Sequence, residues 1–323
     1  MKKLWLLILI SLAAFDVKAQ QDAQYSQYMF NGLYINPAYA GYKQDFYLHS
    51  FYRSQWTGFP GAPQSFSVAA DGSVNDTKVG LGLLLAADKI GAQSSLAAYG
   101  NYAYRLQVGQ DENSRLSLGL GLGFVQASID GTKLTAVQAN DSSVPTGFQS
   151  LLMPDARLGV MYSNDKWYAG LSADNLIAKS MPHDQSVLVP VPMPHFYVTA
   201  GALMDINDDT KFKPSFLIKD DRGGPTSLDL NAFVLLGEKV WLGGTYRTAI
   251  HLYPKPNLQS NLEQTNAIVG VVEFFITDQF RVGYAYDYST TQLGNYNYGS
   301  HEISIGIYLR HNPETPIGRK CFF

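Results

Sequence analysis

Apolar and polar residues alternate with period two along most of this chain. Leu116, Leu118, Leu120, Leu122 and Phe124 alternate with Ser117, Gly119, Gly121, Gly123 and Val125. Successive side chains of a strand point to opposite faces, so this run predicts a strand with one apolar face and one small-residue face. A helix would scatter the same leucines around its circumference. Leu96, Ala98, Tyr102, Tyr104, Leu106 and Val108 repeat the pattern against Tyr99, Asn101, Arg105 and Gln107. Val79, Leu81, Leu83 and Leu85 repeat it against Gly80 and Gly82. Weaker versions fall at 46–53, 65–71, 156–162, 167–175, 196–204, 210–219, 228–236, 240–248, 266–276, 280–288 and 301–309.

These segments predict about fourteen strands, an even number, as closed single-chain barrels of the outer membrane require. The connections between them alternate in length. Short turns are expected at 72–77, 109–113, 163–165, 206–209, 237–238 and 277–279. Longer connections are expected at 54–64, 88–94, 130–153, 176–194, 220–226, 249–265 and 289–300. Outer-membrane barrels pair short periplasmic turns with long external loops, so the first long connection is expected outside the cell. A soluble β-sandwich would also alternate, but it gives no reason for two classes of loop.

Composition supports the membrane reading. Charged residues make up 16% of the chain and aromatics 13%, with 29 Gly, 21 Tyr and 17 Phe. A soluble domain usually carries about 25% charge. Alternation keeps the mean hydropathy at -0.10, since each strand has a polar face. The net charge of -3 and pI near 6.1 give no reason to expect nucleic acid. The first residues carry two lysines, an apolar run from Leu4 to Phe15, and Val17-Lys18-Ala19, the pattern of a signal peptide cleaved after Ala19. That run is too short for a spanning helix, which needs about 20 apolar residues. The one cysteine, Cys321, cannot form an internal disulfide.

Residues 25–65, YSQYMFNGLYINPAYAGYKQDFYLHSFYRSQWTGFPGAPQS, are dense in Tyr, Phe, Asn, Pro and Gly. SQYMFN at 26–31, NPAYAG at 36–41 and RSQW followed by GAP at 53–63 resemble, in this combination and order, the PorP/SprF family of type IX secretion and gliding proteins. YAYDY at 284–288, GSHEI at 299–303 and the terminal Cys321-Phe322-Phe323 resemble the same family. Arg157, Gly170, Leu171, Ser172 and Asn175 are weaker matches between them. The resemblance implies an outer-membrane β-barrel that helps to export or retain surface cargo such as adhesins. Its implied partners are outer-membrane lipid, secreted cargo, periplasmic type IX subunits and an OmpA-like peptidoglycan-binding protein.

Signals for catalysis are poor. The six histidines, His49, His183, His195, His251, His301 and His311, are isolated and show no metal-ligand spacing. GLGLG at 119–123 lies inside a strand rather than opening a helix, so small lumen-facing residues explain it better than a nucleotide loop. Ser172 and Asp174 share a strand face, with no histidine placed beside them by the sequence. No cofactor or metal is expected.

The candidate site residues are therefore partner-binding ones. Tyr25, Tyr28, Met29, Phe30, Tyr34, Asn36, Pro37 and Tyr39 either plug the barrel or offer anchors to a periplasmic partner, since aromatics and Met are enriched at interface cores. Trp56 and Phe59 in the first external loop are either aromatic-belt residues or cargo contacts. Asp287, His301 and Glu302 either bond within the lumen or mark a closing seam used by a partner. The expected organisation is a signal peptide at 1–19, a periplasmic aromatic segment at 20–45, a barrel at 46–310 and a tail at 311–323. A non-enzymatic secretion component is the expected function. A channel for small solutes and a barrel lipase or protease are the rivals.

Overall fold

A computed structural model describes residues 24–309, apart from 75–76, 110–112, 136–140, 142–143, 183–186, 256–257 and 259–266. The expected signal peptide and tail lie outside the described residues. The strands are β1 (Tyr47–Ser54), β2 (Gln64–Val74), β3 (Val79–Ile90), β4 (Gln93–Gln107), β5 (Arg115–Asp130), β6 (Phe148–Ser163), β7 (Trp167–Asp174) and β8 (His195–Ala202). They continue as β9 (Met204–Asn207), β10 (Thr210–Asp220), β11 (Thr226–Leu236), β12 (Val240–Ile250), β13 (Ala267–Phe275), β14 (Phe280–Ser289) and β15 (Ser300–Tyr308).

Except for β8 and β9, neighbours in sequence pair antiparallel throughout, and β10 pairs with β8, β9 and β11. β8 and β9 lie end to end along β10, interrupted at Leu203, so the wall holds fourteen strands. β15 pairs with β1 in full register from Tyr47↔Tyr308 to Ser54↔His301, which closes the sheet into a barrel. Closure leaves no free edge, the condition for crossing lipid with strands. Among the described residues no helix is long and apolar enough to cross a membrane.

The expected faces are the observed ones. Leu118, Leu120, Leu122 and Phe124 point outward and are exposed, while Ser117 and Val125 are buried. On β5 the outward apolar run from Leu116 to Phe124 spans about 27 Å along the strand, at about 3.4 Å per residue. Tilted by about 35–45°, that rises about 20 Å, most of the apolar band of about 25 Å found on outer-membrane barrels. Above it the outward residues turn polar, at Gln126 and Ser128. Two connections differ from expectation. The long connection expected at 130–153 ends at 147, because β6 begins at Phe148 and pairs with β5 as far as Asp130↔Phe148. The loop expected at 88–94 is a tight turn, because β3 and β4 stay paired up to Ile90↔Gln93, and Gly91 takes a φ of 57° there.

Candidate functional site

The barrel is not hollow. Residues 24–42 run inside it, from the end bearing the long loops to the end bearing the short turns, where the chain enters β1. Three single 3₁₀ turns shape this segment: Tyr28–Phe30, Gly32–Tyr34 and Pro37–Tyr39. The sequence favours short turns over a continuous helix because Asn, Gly and Pro interrupt it every few residues. At the third turn Asn36 caps, accepting from the Ala38 N–H at 2.8 Å, and Pro37 opens the turn with its preset φ.

The segment supplies eight of the twenty-four buried residues in the central apolar cluster. Tyr25, Tyr28, Met29, Phe30, Leu33, Ala38, Tyr39 and Ala40 are all buried, against wall residues that include Ala69, Leu84, Phe233 and Trp241. Tyr25 stacks on Phe51 at 5.0 Å and meets Tyr34 edge-on at 4.6 Å.

Glycines in the wall form the seat. A Cβ on Gly80 would collide with Ala40 O, on Gly119 with Ala38 N, and on Gly159 with Asn36 Oδ1. The small-residue face seen in the sequence at Gly119 thus exists to let the segment's backbone approach the wall.

Charged side chains then clasp it. At the long-loop end, Glu302 accepts the backbone N–H groups of Ser26 at 2.7 Å and Gln27 at 2.8 Å. Asp287 accepts the Ser26 hydroxyl at 2.7 Å. Arg53 bridges both carboxylates, 2.8 Å from Asp287 and 3.3 Å from Glu302. Arg247 joins Asp287 to Asp229. At mid-height Arg157 donates to Leu33 O, to Tyr34 O and to Asp174. The Asn36 amide donates to Val160 O and Leu171 O. Lys213 donates to Met29 O, Lys43 to Phe30 O, and Arg105 to Gly41 O at 2.5 Å. Buried charges are costly unless paired and hydrogen-bonded; here the charges pair with one another across the wall and spend their remaining hydrogen bonds on the plug.

These contacts correct the expectation of a periplasmic segment at 20–45. Tyr25, Tyr28, Met29, Phe30, Asn36, Pro37 and Tyr39 are buried in the lumen, and Tyr34 is half-buried there. In this conformation none of the eight is offered on the periplasmic face. Trp56 is not a belt residue either, because it lines a cavity of about 180 Å³ at the mouth beside Arg53 and Lys219. Phe59 is exposed in the same loop. Asp287 and Glu302 face the plug, whereas His301, one residue from Glu302, points outward and bonds Tyr284 at 2.7 Å. Sequence reasoning missed Arg53, Arg247 and Asp229 as site residues, although each is an inward-facing charge on an otherwise alternating strand.

The chemistry of this site is structural. Ser172, considered above beside Asp174, donates its hydroxyl to Ile35 O at 2.5 Å, and Asp174 is held by Arg157. Among the described residues no group of three His, Cys, Asp or Glu is placed to hold a metal ion.

A family model described as "Type IX secretion system membrane protein PorP/SprF" matches residues 17–307. Among solved structures, the chain is similar to the Ralstonia pickettii toluene transporter TbuX, with a TM-score of 0.50 at 11% identity over 91% of this chain and 98% of that one. It is also similar to the CymD monoaromatic hydrocarbon channel (0.48, 12%, 87% and 93%) and to a Pseudomonas aeruginosa FadL homologue (0.47, 8%, 91% and 96%). At such identities the likeness shows the barrel fold alone. No curated protein matches the sequence.

Proposed function

This chain belongs to the PorP/SprF family of type IX secretion membrane proteins, and from that premise we propose that it is a closed, non-enzymatic platform in the outer membrane. The observation that carries the reading is the plug, which fills the lumen and is hydrogen-bonded through Ser26 and Gln27 to Asp287 and Glu302, wall carboxylates that are themselves paired with Arg53. A barrel built to pass solute would gain nothing from so dense a filling. A platform gains rigidity from it. The long loops would meet secreted cargo such as adhesins. The short turns would meet periplasmic type IX subunits and an OmpA-like peptidoglycan-binding protein.

A channel for small solutes is the second reading, favoured by the cavity of about 180 Å³ that sits above the plug. Planar-bilayer conductance separates the two, since a platform conducts only when the plug is removed. Site-specific photocrosslinkers test the partners. In 131–147 they should capture surface cargo, and in 108–114 periplasmic subunits. Capture of cargo from the short turns would reverse the orientation and sink the platform as drawn.

A further inference from the structure

The outward face of β2–β5 is not a uniform apolar band, and its register shows why. One row across these strands and β6 reads Gln64–Lys89–Ser94–Ser128–Ser150, polar throughout, with exposed Lys89 its one charge. The row beneath it reads Phe66–Ala87–Leu96–Gln126, and the next reads Val68–Leu85–Ala98–Phe124. Below that comes Ala70–Leu83–Gly100–Leu122.

Along β4, therefore, Ala98 and Gly100 form the floor of a trough. Leu83 and Leu85 wall it on one side, exposed by 65% and 52%, and Leu122 and Phe124 on the other, exposed by 57% and 54%. Leu96 and Tyr102 bound it above and below. The space is real at both levels. A groove of about 390 Å³ lies around Lys89, Ser94 and Ser128, and one of about 520 Å³ around Gly100 and Ala70. Nothing in the protein requires glycine at 100, because an added Cβ would find its nearest neighbour, Leu122 O, at 3.9 Å. The missing side chain leaves room for something outside the protein.

We infer that this face holds one anionic lipid, its headgroup at Lys89 and one acyl chain in the trough along β4. Three observations meet in that occupant. The barrel lies in the outer membrane, so what covers an outward apolar trough there is hydrocarbon. Lys89 stands where the outward face turns from apolar to polar, which is the depth of a headgroup. Its charge, beside the Ser94 hydroxyl and the Gln64 amide, suits an anion bearing several acceptor oxygens. Asp88, the one carboxylate lining the groove, accepts from the Ser65 hydroxyl, while the Ser128 hydroxyl and Gln126 amide are spent on Ser150. The inference rests on the membrane location and not on the platform reading, so either can fail alone.

The test uses the full-length protein, purified in mild detergent, with phosphatidylglycerol or phosphatidylcholine added and the retained lipid read by native mass spectrometry. The wild type should retain phosphatidylglycerol at least fivefold over phosphatidylcholine, with about one molecule bound. Lys89→Gln should abolish the preference between headgroups. Gly100→Leu should reduce retention of both lipids by filling the trough, without strain in the wall. Gly270→Leu is the control on the opposite face, where an added Cβ also meets nothing within 4 Å, and it should behave as wild type. Heat-modifiable gel mobility checks that each variant is folded. Equal retention of the two lipids by the wild type overturns the inference. So does unchanged retention in Gly100→Leu, or an equal loss in Gly270→Leu.

Discussion

Gly119 on β5 and Ala38 in the plug lie so close that no side chain fits between them. The contact joins the barrel wall to the segment that fills it, and it makes the plug's seating sensitive to one methyl group. Gly119→Ala should destabilise the folded barrel by about 1–3 kcal/mol, the range for overpacking a filled core. Gly270→Ala, pointing outward into open space, should cost little beyond its change in backbone entropy. Urea unfolding of the two variants in lipid vesicles measures the difference, and equal costs would mean that the plug gives way freely.

Removing one partner from the clasp should be worse than overpacking. Glu302→Ala leaves Arg53 with Asp287 alone and strands the Ser26 and Gln27 N–H groups. Breaking a buried pair typically costs about 3–5 kcal/mol. Limited proteolysis should then cut near Ser26, and the variant should conduct in a planar bilayer where the wild type does not. An intact plug in this variant would show that the apolar packing suffices.

The faces of the wall can be read by arginine. Leu120→Arg puts a charge on the lipid face and should cost about 2–4 kcal/mol near mid-membrane. Ser117→Arg is not a mild comparison, because Ser117 is buried. Ser95→Arg is the proper partner, since Ser95 lines a luminal cavity above the plug and a guanidinium there stays hydrated. Its expected cost is below about 1 kcal/mol in the same unfolding assay.

Had residues 25–39 been a free docking segment, replacing Tyr28, Phe30 and Tyr34 together by Ala would abolish partner binding and spare the barrel. The structure gives the opposite expectation. Tyr28 accepts from the Asn231 amide at 2.7 Å, and Phe30 meets Phe233 edge-on at 6.0 Å. Truncating a buried Phe costs about 3–5 kcal/mol by itself. The triple variant should lose its compact form on heat-modifiable gels, and its persistence with normal insertion would return the segment to a docking role.

The wall was legible in the sequence because period two is written residue by residue, as in Leu116–Phe124. The small face at Gly119 was legible as lumen, and even the split between His301 outside and Glu302 inside follows from their being neighbours on a strand. The plug was not legible. Aromatic density at Tyr25–Tyr39 satisfies a core and an interface equally well, and composition does not say which surface will cover it. The clasp was hidden for a different reason. Arg53 and Glu302 meet only because the first and last strands pair, a relation that no local pattern contains. The tight turn at Gly91 was missed because polar residues near a strand end look the same whether the ladder stops or continues.

The plug's attachment to both ends of the wall also constrains how the molecule is built. Ser26 and Glu302 are 276 positions apart, and Gln27 also bonds Ser304 on the strand that zips against β1. Contacts so distant in sequence form late and slowly. The segment precedes β1 in the chain, whereas its binding groups lie on β14 and β15, the last two strands. Once β15 has paired with β1, the wall leaves no gap through which a folded segment could be threaded sideways. Seating the segment therefore takes either an open sheet or entry through one end of the barrel. The seam between β15 and β1 carries Glu302, Ser304 and Arg53, so the contacts that close the wall also complete the seat of residues 26–27.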